Sequence, residues 1–336
     1  MANGVTALRK IQLGKESGGA AGAAVAATTI WRGMGLLDDE RDPKHVEESI
    51  GVAQPTTRAY IPKLGCKVVF NPVEATFQQL PYLFEAGVAI ESPTNDGTGY
   101  VYAYAVNTTS IQTIETYTIE MGDNQLVQET DYGFVEKIKI SGNAGEGLMM
   151  SAEWRGRDVV DSSFTGALSV PTLLPGHHIV FGGSTLAIDA VGGTIGSTAV
   201  SSTLLSFELD FTTGWRAKWT NAGKDFDFVY FDKDTYAATL KLVYEHNAAA
   251  DAQRDLYEAA TPRLLRLQFP GPALGTPGST YTTYLFRIDC AGVYTGFKRG
   301  EKDGNSIIEA EMKLGYDLTA SSGLSFLVVN ESSALP

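Results

Sequence analysis

Segments that alternate apolar and polar residues one for one recur along this chain. A period of two leaves little room for anything but β-strands that bury one face. Tyr117, Ile119 and Met121 alternate with Thr116, Thr118 and Glu120, and Ile138 and Ile140 share a face opposite Lys137 and Lys139. Leu205, Phe207, Leu209 and Phe211 alternate with Ser206, Glu208 and Asp210. Beyond a turn at Gly214, Trp215, Ala217 and Trp219 alternate with Arg216 and Lys218. Ile308, Ala310, Met312 and Leu314 alternate with Glu309, Glu311 and Lys313. One polar and one apolar face per strand describes antiparallel pairing over a core. The chain is therefore expected to be mainly β, and its 36 glycines, with many Thr and Tyr, suit strands joined by turns.

Two short helices interrupt the pattern. Val73, Phe77, Leu80 and Phe84 recur at helical spacing, and Pro81 must start or kink that helix rather than sit inside it. The second is expected over Ala248 to Ala260, with Asn247 as its cap and Pro262 just beyond its end. Each is preceded by a similar strand, Lys67-Val68-Val69-Phe70 and Lys241-Leu242-Val243-Tyr244. Each closes similarly, on Phe84-Glu85-Ala86 and Tyr257-Glu258-Ala259. A later strand matches too, Met149-Met150-Ser151-Ala152-Glu153 against Ile307-Ile308-Glu309-Ala310-Glu311. Three matches in one order read as an internal duplication, with extra residues in the first copy around Gly99 to Gly122. The expected division is a first domain over 1–160, a linker or extension over 161–202, and a second domain over 203–336.

Charge bounds the function. With 26 Lys plus Arg against 39 Asp plus Glu the net charge is −13, the wrong sign for a protein that grips phosphates. Charged residues make up only 19%, low for a monomer with a free surface. The densest charge cluster runs from Asp38 to Glu48, and its plain reading is a solvated loop. The sharper one is a loop or hairpin reaching a neighbouring subunit, with Asp38, Asp39, Glu40, Arg41, Asp42, Lys44, Glu47 and Glu48 as contacts between stacked rings. Gly14 to Thr29, rich in small residues, is expected to be mobile until something orders it.

No catalytic constellation emerges. His177-His178 is the one histidine cluster beside lone His45 and His246, and it lacks a third ligand at metal spacing. There is no phosphate-binding glycine loop and no Gly-x-Ser-x-Gly elbow. Asp225 with Asp227, and Asp232 with Asp234, do not complete a calcium loop. Cys66 and Cys290 read as two reduced thiols, although their spacing leaves a disulfide open. No stretch is apolar and long enough to span a bilayer, and Ala20 to Ala27 is too short for a signal-peptide core. The sequence thus points to no enzyme, no cofactor and no metal.

Several blocks resemble the major tail tube proteins of siphophages, the bacteriophages with long non-contractile tails. They begin with Ala7-Leu8-Arg9-Lys10-Ile11-Gln12-Leu13-Gly14-Lys15-Glu16, an Ala/Gly/Thr run and Trp31-Arg32-Gly33. Glu47 to Gly51, Tyr60 to Gly65, Gln79 to Phe84 and Tyr117 to Asn124 follow in the same order. Tyr244 to Ala252 with Thr261-Pro262-Arg263 resembles the family's distal segment. The resemblance implies β-sandwich or barrel domains, each with one short flanking helix, whose inner sheets join those of neighbours into a β-barrel around a lumen. With two such domains per chain, three chains are expected per ring. The implied partners are further copies of the chain, tail tip and tail terminator proteins, and a tape measure protein inside the lumen. DNA would pass through without tight binding, repelled by acids on polar strand faces, of which Glu120, Glu208 and Asp210 are the candidates. The implied location is the virion tail, after assembly in the bacterial cytoplasm.

Two other classes stay open on the sequence. One is a different phage β-structural protein, such as a capsid decoration or head–tail connector component. The other is a carbohydrate-binding or hydrolytic β-sandwich, whose paired carboxylates can lie far apart in sequence.

Overall fold

The computed structural model describes residues 4–16, 21–54, 56–106, 110–166, 168 and 176–335. The chain is mainly β, with two α-helices among the described residues. In the first half, β1 (Lys10–Lys15), β2 (Thr29–Trp31) and β3 (Gly35–Asp39) lead to a hairpin of β4 (Lys44–Glu47) and β5 (Thr56–Tyr60). Then come β6 (Cys66–Glu74), α1 (Leu80–Gly87) and a hairpin of β7 (Thr94–Asp96) and β8 (Gly99–Ala105). β9 (Tyr117–Gly122), β10 (Val127–Asn143), β11 (Met149–Gly156) and β12 (Val160–Ser162) complete it.

The second half runs through β13 (Thr185–Ala190), β14 (Leu204–Thr212) and a hairpin of β15 (Trp215–Lys218) and β16 (Phe228–Phe231). β17 (Ala237–Glu245), α2 (Ala248–Glu258), β18 (Arg263–Ala273), β19 (Thr283–Lys302), β20 (Asn305–Gly315) and β21 (Ser325–Asn330) follow.

All the pairings between these strands are antiparallel, and one set of them occurs twice in the same order. β3 pairs with β6, β6 with β11 and β11 with β10, as β14 pairs with β17, β17 with β20 and β20 with β19. At its other end each long strand enters a second sheet, β1–β9–β10–β12 in one half and β13–β18–β19–β21 in the other. Both long strands carry a bulge at the matching place, between Val135 and Lys137 and between Tyr294 and Gly296. A bulge adds twist and bends the strand, which lets one strand serve two sheets. The β7–β8 hairpin sits between α1 and β9, whereas α2 leads directly to β18.

The halves are fused through β10 and β14, which pair from Lys137 with Thr212 to Asn143 with Ser206. The result is an open run of eight strands, β3–β6–β11–β10–β14–β17–β20–β19. A single hydrophobic cluster contains buried residues from both halves, including Phe84 of α1 stacked at 4.3 Å on Phe326 of β21. β8 also pairs directly with β21. The stretch expected as a linker, 161–202, contributes β13 to the second sheet of the later half.

Helix boundaries follow local chemistry. α1 starts at Leu80 with Pro81 in its first turn, where a missing N–H costs nothing, and is buried along its whole length. α2 is capped by the Asn247 side chain, which accepts from the Ala249 and Ala250 amides. The segment Gly14 to Thr29, expected to be mobile, makes several hydrogen bonds where it is described. Gly14 and Lys15 lie in β1, the Gly22 amide donates to Glu16, and the Val25 amide donates to Thr118.

Candidate functional site

The alternating strands bury their apolar residues on one side of the eight-stranded run. Ile138, Ile140, Phe207, Leu209, Phe211, Leu240, Leu242, Ala310 and Met312 are all buried. The opposite side is a polar face on which neighbouring strands set unlike charges against each other. Lys67 meets Glu153 at 2.5 Å, Lys137 meets Asp210 at 3.0 Å, and Lys139 meets Glu208 at 2.8 Å. Lys241 reaches the other Glu208 oxygen at 3.1 Å. The hydrogen bond from Lys139, with that from Lys241, holds the Glu208 carboxyl below the usual carboxylate range despite partial burial. Glu208 in turn raises the Lys241 ammonium.

Glu208 and Asp210 thus lie where alternation put them, on the polar face, but their charge is met by lysines. Glu120 does not. It is 2% exposed, accepting from Gln12 Nε2 at 2.9 Å and from the Thr165 amide at 2.7 Å. The alternation of β9 implied one wet face, whereas Thr116, Thr118 and Glu120 are buried along with Tyr117 and Ile119. The cause is long-range: Val25 and Thr165 cover that face with hydrogen bonds to Thr118 and Glu120.

The acidic cluster is not one loop. Asp38 and Asp39 end β3, and Lys44 to Glu47 form β4 of a hairpin. Arg41 anchors the connection by donating to Asp39, to Asp158 at 2.9 Å and to the Val159 carbonyl at 2.8 Å. Glu40 accepts from Arg155 at 2.6 Å, Asp42 pairs with Lys44, and Glu48 pairs with Arg58 at 2.6 Å.

The eight-stranded run ends in two strands that pair on one side only. Among the described residues β3 is bonded to β6 alone, and β19 beyond Gly292 to β20 alone. Nothing in the alternation pattern marks these positions as sheet edges.

The remaining polar candidates hold local structure. His177 packs against Tyr284 in a tilted arrangement and contacts Gln78 at 2.9 Å, and its burial lowers its affinity for a proton. His246 contacts Asp251 of α2 at 3.1 Å. Asp227 accepts from the Thr220 amide, and Asp232 from the Asp234 amide. Cys66 and Cys290 are buried free thiols, Cys66 pushed up to about 11 by burial. Trp215 is buried with Phe134 and Phe226 in a small cluster. Among the described residues no group of three His, Cys, Asp or Glu side chains could hold a metal ion, and no helix is long and apolar enough to cross a membrane. No protein-family model matches the chain, and no curated protein matches it either.

Proposed function

We propose that the chain is a structural subunit of a bacteriophage tail tube, built from two tandem tail-tube-like domains and stacking as rings around a channel for DNA. The single observation that carries this reading is the twice-used pairing order. One half joins the next through β10 and β14, and among the described residues β3 and the part of β19 beyond Gly292 pair on one side only. Open edges invite addition of further strands and are an aggregation hazard unless something pairs them. A unit that adds to itself head to tail closes a ring when the rotation allows. The phage assignment itself rests on the sequence blocks that resemble siphophage tail tube proteins.

In this reading the polar face of the eight-stranded run lines the channel. Glu208 and Asp210 stand there, and Lys137, Lys139 and Lys241 are occupied by carboxylates instead of being free for phosphates. At these positions DNA would meet lysines whose charge carboxylates already balance. Glu120, being buried, has no part in the lining. The chain does no catalysis and needs no cofactor. Its partners are its own copies, the tail tip and terminator proteins, and a tape measure protein in the lumen, and its place is the virion tail.

Electron microscopy of the concentrated protein, alone or with a tail initiation complex, tests the reading. Rings or hollow tubes with true threefold and approximate sixfold symmetry are expected. Monomers at every concentration and salt, with no response to an initiator, would end it. Six chains per ring would keep a tube but remove the tandem-domain architecture.

A further inference from the structure

We propose that Lys15 of β1 and Glu85 of α1 become joined by an isopeptide bond that the folded chain makes on itself, with Glu115 carrying the proton. The bond lies inside one subunit, so it stands or falls apart from the tube reading.

Three charged groups meet where α1 lies beside the end of β1 and the start of β9. Lys15 Nζ donates to Glu85 Oε2 at 2.7 Å and lies 3.5 Å from Glu115 Oε2. The Tyr117 hydroxyl donates to the same Glu85 oxygen at 3.2 Å. The backbone fixes this set in place. Lys15 stands opposite Tyr117 in the β1–β9 ladder, and the Glu115 amide donates to the Glu85 carbonyl.

Burial sets this lysine apart from the others. The Glu85 and Glu115 side chains are 2% and 7% exposed, and that of Lys15 is 20% exposed. Among the described residues, every other lysine–carboxylate pair has a carboxylate at least 31% exposed. Tyr117 is fully buried, edge-on to Trp154 and close to Tyr82, so aromatic rings wall the site. Opposite charges held out of water carry a desolvation cost that their attraction repays only in part. Burial pushes the Glu85 carboxyl above its usual range, against the hydrogen bond and charge of Lys15. A raised carboxyl beside an ammonium favours transfer of the proton between them, to give the reactive pair of amine and acid.

The step balances without a further reactant. A proton passes from the Lys15 ammonium to the Glu85 carboxylate, leaving amine and acid. The Nζ lone pair then bonds to Glu85 Cδ, and the carbonyl electrons move onto Oε2. The Tyr117 hydroxyl, already donating to Oε2, stabilises the charge that gathers there. Glu115 accepts the proton that the nitrogen releases and passes it to the departing hydroxyl, which leaves as water. One C–N bond forms, one C–O bond breaks, Glu115 is again a carboxylate, and nothing is oxidised or reduced. Groups held in contact react as if at very high concentration, and a site poor in water preserves the amide. A neutral amide in place of a buried ion pair also removes the desolvation cost. The bond would close a loop between residues 70 apart, tying β1 to the buried helix. It forms once per chain and is not turnover.

The test is the intact mass of the full chain under denaturing conditions, taken fresh and after prolonged incubation of the folded protein. The wild-type chain should come out one water lighter than its sequence, and peptide mapping should recover Lys15 and Glu85 in one branched peptide. Mapping matters because Asp96-Gly97 and Asp303-Gly304 can also lose water, as succinimides. Mild base reopens a succinimide and leaves an amide intact. Lys15→Arg keeps a cation beside Glu85 but cannot form the amide, and Glu115→Gln removes the proton carrier. Both should show the full mass, and Lys15→Arg should unfold at a lower temperature for want of the tie. Wild-type protein at full mass after incubation, with Lys15 and Glu85 in separate peptides, would overturn the proposal and leave an ion pair. A bond from Lys15 to Glu115 would overturn the assignment of acceptor and proton carrier. Glu115→Gln protein cross-linked as fully as the wild type would remove Glu115 from the chemistry.

Discussion

Lys139 on β10 and Glu208 on β14 meet at 2.8 Å across the seam where the two halves of the chain become one sheet. Both side chains are partly exposed, so the contact is worth a surface ion pair's energy, although Glu208 also takes Lys241. Glu208→Gln is expected to cost about 0.5–1 kcal/mol by urea unfolding, with coupling to Lys139→Met in a double-mutant cycle. The sign with pH follows from the lowered Glu208 carboxyl. The contribution is fully present above the ordinary glutamate value, about 4.3, and disappears as pH falls through the lower folded-state value. A cost that persists unchanged in acid would rule out charge as its source.

Phe84 ties α1 of the first half to Phe326 and Phe286 of the second, at 4.3 and 6.2 Å between ring centroids. Phe84→Ala should destabilise the whole chain by about 3–5 kcal/mol. Because the core cluster spans both halves, calorimetry should show one transition shifted to lower temperature. Two transitions, of which only one moves, would mean that the halves unfold separately.

Gly156 lies at the end of β11, where a Cβ would collide with Thr130 Oγ1 and approach Cys66 Sγ to 2.7 Å. Gly156→Ala is expected to cost about 1–3 kcal/mol by overpacking. Thr130→Ala in the same chain should recover part of that loss, because it removes the nearer atom. Equal losses with and without Thr130 would place the strain elsewhere.

Asp131 is pushed up to about 6 by burial, against the attraction of Arg157. A carboxyl raised above its unfolded value binds its proton more tightly in the folded protein. Its contribution is therefore greatest in acid and is lost as pH rises between about 4 and 6. Asp131→Asn should flatten that part of the stability profile and raise stability at pH 7 relative to acid by about 1 kcal/mol, after allowing for solvent screening. A profile as steep as that of the wild type would assign the slope to other groups.

Local patterns were readable wherever neighbours along the chain decide the outcome. The buried sets Phe207, Leu209, Phe211 and Ala310, Met312, Leu314 follow from a period of two. The start of α2 follows from Asn247, whose side chain satisfies two amides that the helix cannot. The similar strands before the two helices, Lys67 to Phe70 and Lys241 to Tyr244, lie in β6 and β17, which occupy matching places in the pairing order, but there Val69 opposite Glu153 stands where Lys241 stands opposite Glu311, two residues away from the sequence match.

Glu120 shows where such reading stops. Alternation states that Glu120 and Ile119 face opposite ways, but not what lies beyond either face; Thr165 and Gln12, distant in sequence, bury the carboxylate. The same holds for the seam and the edges. Strand pairing is a contact between residues far apart along the chain, selected by the summed packing and loop closure of the whole molecule. Hence the residues of the chain determined that Lys137, Lys139, Glu208 and Asp210 occupy polar strand faces. Only the tertiary structure decided that β10 and β14 lie side by side so that these charges meet, and that β3 and the end of β19 beyond Gly292 have, among the described residues, a partner on one side only.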